Sequence, residues 1–351
     1  MSRHESRFDL RFGGAKAVAA ALAVLMLGGC DAQVLFPAGD VAKQQAHILA
    51  VTTGLMLLII IPVMIATVVF AWKYRESNRE ATYRPDWDHS TLLELGIWSA
   101  PLLIIIAVGA ITWISTHTLD PYRPLERIAP GKPVPAGVRP LEVDVVALDW
   151  KWLFIYPEQG IATVNELALP VNREVRFRLT ASSVMNSFYV PSLVGQVYAM
   201  PGMETKLHAV LNRTGNFDGF SANYSGSGFS GMRFRTLGLD EAGFDAWVAK
   251  RRTGKLLDRA AYLALEKPSE NVRPGFWSAV DPDLFRRVTE RCVRAGEPCM
   301  SELMRKDMDH PATIHGEAAG KPLPDMPGMK MDGPPGASAA PADPHASHPH
   351  S

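Results

Sequence analysis

A membrane-anchored α+β protein is what the sequence predicts: a two-helix transmembrane hairpin, then a Greek-key β-sandwich or barrel outside the membrane, then a helical C-terminal extension. Three observations predict it. Two uncharged apolar runs, Ile48 to Trp72 and Leu95 to Ser115, are each long enough to cross hydrocarbon as a helix. Short runs of period-two hydrophobicity begin at Leu141, and from Asp240 the apolar spacing changes to that of amphipathic helices.

Residues 1–29 read as an export signal. Arg3, Arg7, Arg11 and Lys16 precede an apolar stretch, Ala17 to Leu27, that is short for a span. The leader ends Leu27-Gly28-Gly29-Cys30, which resembles the lipobox of bacterial lipoproteins; the resemblance implies cleavage after Gly29 and lipidation of Cys30. Asp31 resembles the signal that retains such lipoproteins in the inner membrane of Gram-negative bacteria. An ordinary signal peptide with a chance cysteine is the alternative. Across the chain, 36 basic residues balance 36 acidic ones, which argues against a nucleic-acid partner.

Residues 30–47 form a short segment outside the membrane, followed by the first span, 48–72, and a loop, 73–94. The loop carries Lys73, Arg75, Arg79 and Arg84 against the single Lys43 ahead of the span, so it faces the cytoplasm. Arg123, Arg127, Lys132 and Arg139 in the linker 116–140 dilute that asymmetry, and the exported Cys30 settles the orientation. Pro62 and Pro101 are tolerated where neighbouring helices support a kink, and Trp72, Tyr74, Trp98 and Trp113 suit the interfacial belts. Glu94 opens the second span, 95–115. With Thr91 it has the spacing of a capping box.

From 141 to 239 the chain alternates. Leu141, Val143 and Val145 are interleaved with Glu142 and Asp144; Val175, Phe177 and Leu179 with Glu174, Arg176 and Arg178. Further strands are expected at Lys151 to Tyr156, Thr205 to Leu211, Gly219 to Ser225 and Arg233 to Leu237, with Asn and Gly between them. Residues 240–310 read as helices at Asp240 to Lys250, Leu256 to Leu265 and Pro282 to Val293. Cys292 and Cys299, exported under this topology, form either a disulfide or two free thiols. Residues 311–351, rich in Pro, Gly, Met and His, cannot build a core and are expected to be a solvated tail.

The stretch Ser221 to Met232, Ser-Ala-Asn-Tyr-Ser-Gly-Ser-Gly-Phe-Ser-Gly-Met, resembles the dinuclear copper loop of subunit II in the heme-copper oxidases with its ligands replaced. In register, the two cysteine positions fall on Ser221 and Ser225, a histidine on Phe229 and the carbonyl-donating glutamate on Asn223. Only Met232 is retained. The family's other histidine precedes a Pro-Ser-Leu turn, and Asn186 stands there, ahead of Pro191-Ser192-Leu193. Hydroxyls and amides do not replace thiolate and imidazole as copper donors, and this erased pattern resembles the quinol-oxidising, cytochrome bo-type branch.

The resemblance implies a cupredoxin fold for the head and no redox cofactor or metal in this chain. Haems and a copper ion are expected in a partner subunit I, with subunits III and IV and membrane lipid as further partners. Quinol reaches subunit I, and cytochrome c is not a partner. The complex would couple quinol oxidation and oxygen reduction to proton translocation, this chain being a non-catalytic, structural subunit. Glu94 then gains a second reading, as a carboxylate at the mouth of a proton pathway. Trp150 and Trp152, Met200 and Met203 read as packing residues, and His208 as satisfied or exposed. Two other classes remain: a copper-bearing cytochrome c oxidase subunit II, and a copper-handling lipoprotein using Met326, Met329, Met331, His345, His348 and His350.

Overall fold

The computed structural model describes residues 33–82 and 85–309. The leader, Cys30, Arg84 and the Met/His-rich tail lie outside them. Helix α1 (Asp40–Lys73) and helix α2 (Thr91–Thr118) pack against each other and contain Pro62 and Pro101. At 34 residues, α1 is about 50 Å long, beyond the roughly 30 Å hydrocarbon layer. It starts well before the apolar run at Ile48, because no residue after Gly39 breaks a helix. That extra length enters the head: Ala38 and Val41 belong to its hydrophobic core. Ala38 and Gly39 both donate their amides to Ser192 O, at 2.7 and 2.8 Å, and Asn212 N donates to Ala38 O at 2.9 Å.

After a small hairpin of β1 (Arg127–Ala129) and β2 (Lys132–Pro133), ten strands build the head. They are β3 (Leu141–Leu148), β4 (Lys151–Tyr156), β5 (Ile161–Val164), β6 (Glu166–Pro170), β7 (Glu174–Ala181), β8 (Asn186–Val190), β9 (Val194–Ala199), β10 (Thr205–Val210), β11 (Gly215–Ser221) and β12 (Arg233–Leu239). The C-terminal part adds α3 (Glu241–Ala249), β13 (Leu256–Leu257), α4 (Arg259–Glu266), β14 (Gly275–Trp277), β15 (Ala279–Val280), α5 (Leu284–Thr289) and α6 (Met300–Asp309).

Two sheets face each other in a cupredoxin-like sandwich, ordered β10-β7-β3-β4-β5-β14 and β6-β12-β11-β8-β9. The β3–β7 and β6–β12 pairs are parallel. Between the sheets, Trp152 meets Phe188 and Phe234 edge-on at 5.5 and 5.7 Å between ring centroids, while Phe188 and Phe234 stack at 5.4 Å. Such pairs add to area burial in holding a core.

The extension differs from the all-helical expectation. Leu256 and Leu257 form a strand rather than the start of a helix, the third helix spans only Leu284–Thr289, and β14 joins β5 at the edge of the first sheet. Val146, Leu148, Leu153 and Ile155 consequently pack on Tyr262, Leu284, Phe285 and Val288. Part of the first sheet, over β3, β4 and β5, is therefore covered on both faces. Acidic residues that alternation placed outward are covered: Asp144 and Glu174 are buried. Asp144 is held by Arg178 in a two-point ion pair at 2.6 and 2.7 Å, and the guanidinium lies over the Phe285 ring at 4.9 Å. Burial pushes the Asp144 carboxyl up to about 6, and Arg178 offsets this only in part. Cys292 and Cys299 form a disulfide that closes the loop after α5.

Candidate functional site

The turn following β11 and the start of β8 converge at one end of the sandwich. Ser221 closes β11 and Asn186 opens β8; both are buried, and Ser221 Oγ donates to Asn186 Oδ1 at 3.1 Å. The expected strand Gly219 to Ser225 begins and ends earlier, at Gly215–Ser221, so Asn223 and Ser225 lie in the loop. Asn223 Nδ2 donates to Met185 O at 3.4 Å, and its own carbonyl is 3.2 Å from Ser221 Oγ. Ser225 Oγ lies 3.9 Å from the sulfur of buried Met232. Phe229 sits in a 3₁₀ turn, Phe229–Gly231, with its ring edge-on to Tyr224 at 5.7 Å.

The loop rests on Trp150, whose backbone is left-handed (φ 64°) and whose indole Nε1 donates to Ser225 O at 2.9 Å. A Cβ at Gly228 would collide with that indole, so the loop's close approach requires glycine there. Trp152, two residues on, is a core residue. Met203 is exposed, contrary to its expected packing role, and neighbouring Gly202 faces Met300 and Arg291 of the extension.

Asn186 and Ser221 are bonded to each other, Ser225 lies against Met232, and the side-chain amides of Asn186 and Asn223 donate to backbone carbonyls. Two hydroxyls, two amides and one thioether do not fit the copper that the loop's frame implies: the set offers neither thiolate nor imidazole.

Sequence reasoning missed Lys151. It is buried, and its Nζ donates to Asp149 O at 3.1 Å, Lys267 O at 2.8 Å and Ser269 Oγ at 2.8 Å, tying the extension to the strand after the tryptophan turn. Burial lowers its pKa. The only available signal was the lysine's position between two tryptophans. Nor was the partner of His208 legible: His208 is buried and its Nδ1 lies 2.8 Å from Glu174 Oε1.

Glu94 lies at the other end of the molecule. The α2 N-cap is Ser90, with no side-chain cap, so the Thr91–Glu94 capping box does not form. The Glu94 side chain is exposed and has no hydrogen bond or ion pair among the described residues. Cys30 falls outside those residues.

A membrane hairpin joined to a cupredoxin-like head with a copper-type loop defines the subunit II class of the heme-copper oxidases. Residues 142–236 match the family described as the periplasmic domain of cytochrome c oxidase subunit II, and residues 251–296 match the COX aromatic-rich motif. Among curated relatives, cytochrome bo(3) ubiquinol oxidase subunit 2 of Pseudomonas putida is 52% identical over 82% of this chain and 90% of its own length. The Pseudomonas aeruginosa protein of the same name is 48% identical over 84% and 83%. Ubiquinol oxidase subunit 2 of Acetobacter aceti is 47% identical over 76% and 85%. The chain belongs to the cytochrome bo-type ubiquinol oxidase subunit 2 family. It is part of an oxidoreductase complex with a subunit I, and its two apolar helices and periplasmic domain fit an inner-membrane protein.

Proposed function

We propose that this chain is the redox-silent subunit II of a ubiquinol oxidase that couples quinol oxidation and oxygen reduction to proton translocation. The observation that carries the reading is the donor set at the loop, where Asn186 and Ser221 are bonded to each other and sulfur anions and imidazoles are replaced. Electrons then enter from the bilayer through subunit I, which holds the haems and a copper ion. Subunits III and IV complete the complex, Cys30 carries a lipid anchor, and cytochrome c has no relay to reduce here. The chain supports assembly and covers the outer face of subunit I. Glu94, exposed at the cytoplasmic start of α2 and free of a cap, suits proton collection for a pathway in that subunit.

The test is made on the purified complex. Copper is quantified against haem, and turnover is compared on ubiquinol and on reduced cytochrome c. The expected result is copper accounted for by subunit I alone and turnover on quinol only. A mixed-valence copper signal from this chain, or efficient oxidation of cytochrome c, overturns the reading.

A further inference from the structure

Where the outer ends of α1 and α2 meet the underside of the head, two adjoining cavities of about 320 and about 400 Å³ share Asp40, Gln44, Thr118, Leu119 and Arg127 as walls. Neither contains a residue of the copper-type loop. Because Ala38 and Gly39 are bonded to the head, this cleft lies on the head's side of the membrane, at the level where the apolar span ends.

The charged residues are ordered along the membrane normal. On α1, Ile48 is followed outward by His47, Lys43 and Asp40, all facing the cleft. With a rise of 1.5 Å per residue, Lys43 stands about 6 Å outside His47, and Asp40 a further 4 to 5 Å or so. Asp120, at the end of α2, lines the outer cavity with Asp40. The sequence from the bilayer outward is therefore apolar, cationic, anionic. A zwitterionic aminophospholipid has the same order: acyl chain, phosphate, ammonium.

Asp40 supplies an independent sign of a missing donor. The residue is 2% exposed; its Oδ2 accepts from Arg127 Nε and Gln44 Nε2, both at 2.9 Å. Its Oδ1 has no partner among the described residues. A buried carboxylate oxygen without a donor is destabilising, and an ammonium group would satisfy it. Charge balance favours a zwitterion over an anionic lipid. Arg127 is paired with Asp40 and Arg123 with Glu126, which leaves Lys43 and His47 to meet a phosphate and Asp120 to meet an amine.

We propose that this cleft binds the headgroup of a phosphatidylethanolamine-type lipid of the outer leaflet, with the phosphate at Lys43 and His47 and the ammonium at Asp40 and Asp120. The bound lipid would fill the gap between span and head, beside the buried His208–Glu174 pair.

Native mass spectrometry of the intact oxidase complex, delipidated and then titrated with phosphatidylethanolamine, phosphatidylglycerol or inorganic phosphate, tests this. Wild type is expected to retain phosphatidylethanolamine in preference to phosphatidylglycerol. Lys43→Gln with His47→Gln should weaken both lipids about fivefold or more, from the lysine charge and the lost imidazole hydrogen bond. Asp120→Asn, which keeps the oxygen that accepts from Tyr122 N, should lower phosphatidylethanolamine selectively and invert the preference. Haem content and quinol turnover are expected to stay normal. Equal retention by wild type and variants, wild-type preference for phosphatidylglycerol, or full competition by inorganic phosphate would overturn the proposal. So would a photoactivatable phosphatidylethanolamine that labels the wild-type complex only away from residues 40–48 and 118–127, a readout that remains if a variant fails to assemble.

Discussion

Ser221 Oγ donates to Asn186 Oδ1 across 3.1 Å, with both residues buried, so the end of β11 and the start of β8 are joined by a side-chain hydrogen bond. Ser221→Ala removes the donor and leaves the Asn186 oxygen unpaired, which should lower the stability of the head by about 1 to 3 kcal/mol. Thermal unfolding of the complex is expected to begin earlier at the head, while quinol turnover and copper content stay unchanged.

Glu94→Gln keeps the shape of the side chain but removes its charge and its capacity to pass a proton. Oxygen consumption by the purified complex should fall severalfold at saturating quinol, with haem content and subunit composition unaltered. Unchanged turnover would remove Glu94 from the proton pathway.

Asp144 sets a pH dependence. Its carboxyl is raised from 3.8 to about 6 in the folded head by burial, so between those values the folded state binds more protons than the unfolded one. Stability from this group is greatest at low pH and falls as pH rises through that window. Thermal melts from pH 4 to 7 should show wild type losing stability relative to Asp144→Asn, by on the order of 2 kcal/mol across the window. A constant difference between the two proteins would contradict this.

Lys151→Met would leave the carbonyls of Asp149 and Lys267 without their donor. The expected cost is about 3 kcal/mol, concentrated where the extension crosses the sheet. Hydrogen exchange should accelerate at residues 267–272 more than in β11 or β12.

Replacing Cys292 and Cys299 together by serine removes a cross-link around a loop of eight residues. About 2 kcal/mol should be lost, visible as faster proteolysis after α5 while the sandwich core remains protected.

Much of this architecture was legible because its signals are local. Uninterrupted apolar length marks the spans, alternation marks strands such as Glu174–Ala181, and a short apolar run after a turn marks Lys151–Tyr156, whose bounds were read correctly. The loop positions were named through the resemblance to the subunit II loop, and what the residues themselves state is their chemistry: hydroxyls, amides and one thioether. What escaped was long-range. Alternation reports one covered face and cannot announce that Tyr262, Leu284 and Phe285 return to cover the other beside Asp144, or that the linker at Leu125 and His208 of β10 close over Glu174. The first turn of α1 escaped for the same reason: its burial depends on strands more than a hundred residues later. Lys151 gave little warning beyond its place between two tryptophans, because a lone lysine in a strand is ordinarily solvated.

The stitching of Ala38 and Gly39 to Ser192, Leu211 and Asn212 also dictates how the molecule can be taken apart. A fragment begun at residue 141 would lack two apolar plugs and the backbone partners that seal its underside, leaving an open greasy socket. Soluble versions of the head therefore need residues 38–42 supplied, in cis or as an added peptide, before their behaviour represents that of the intact subunit.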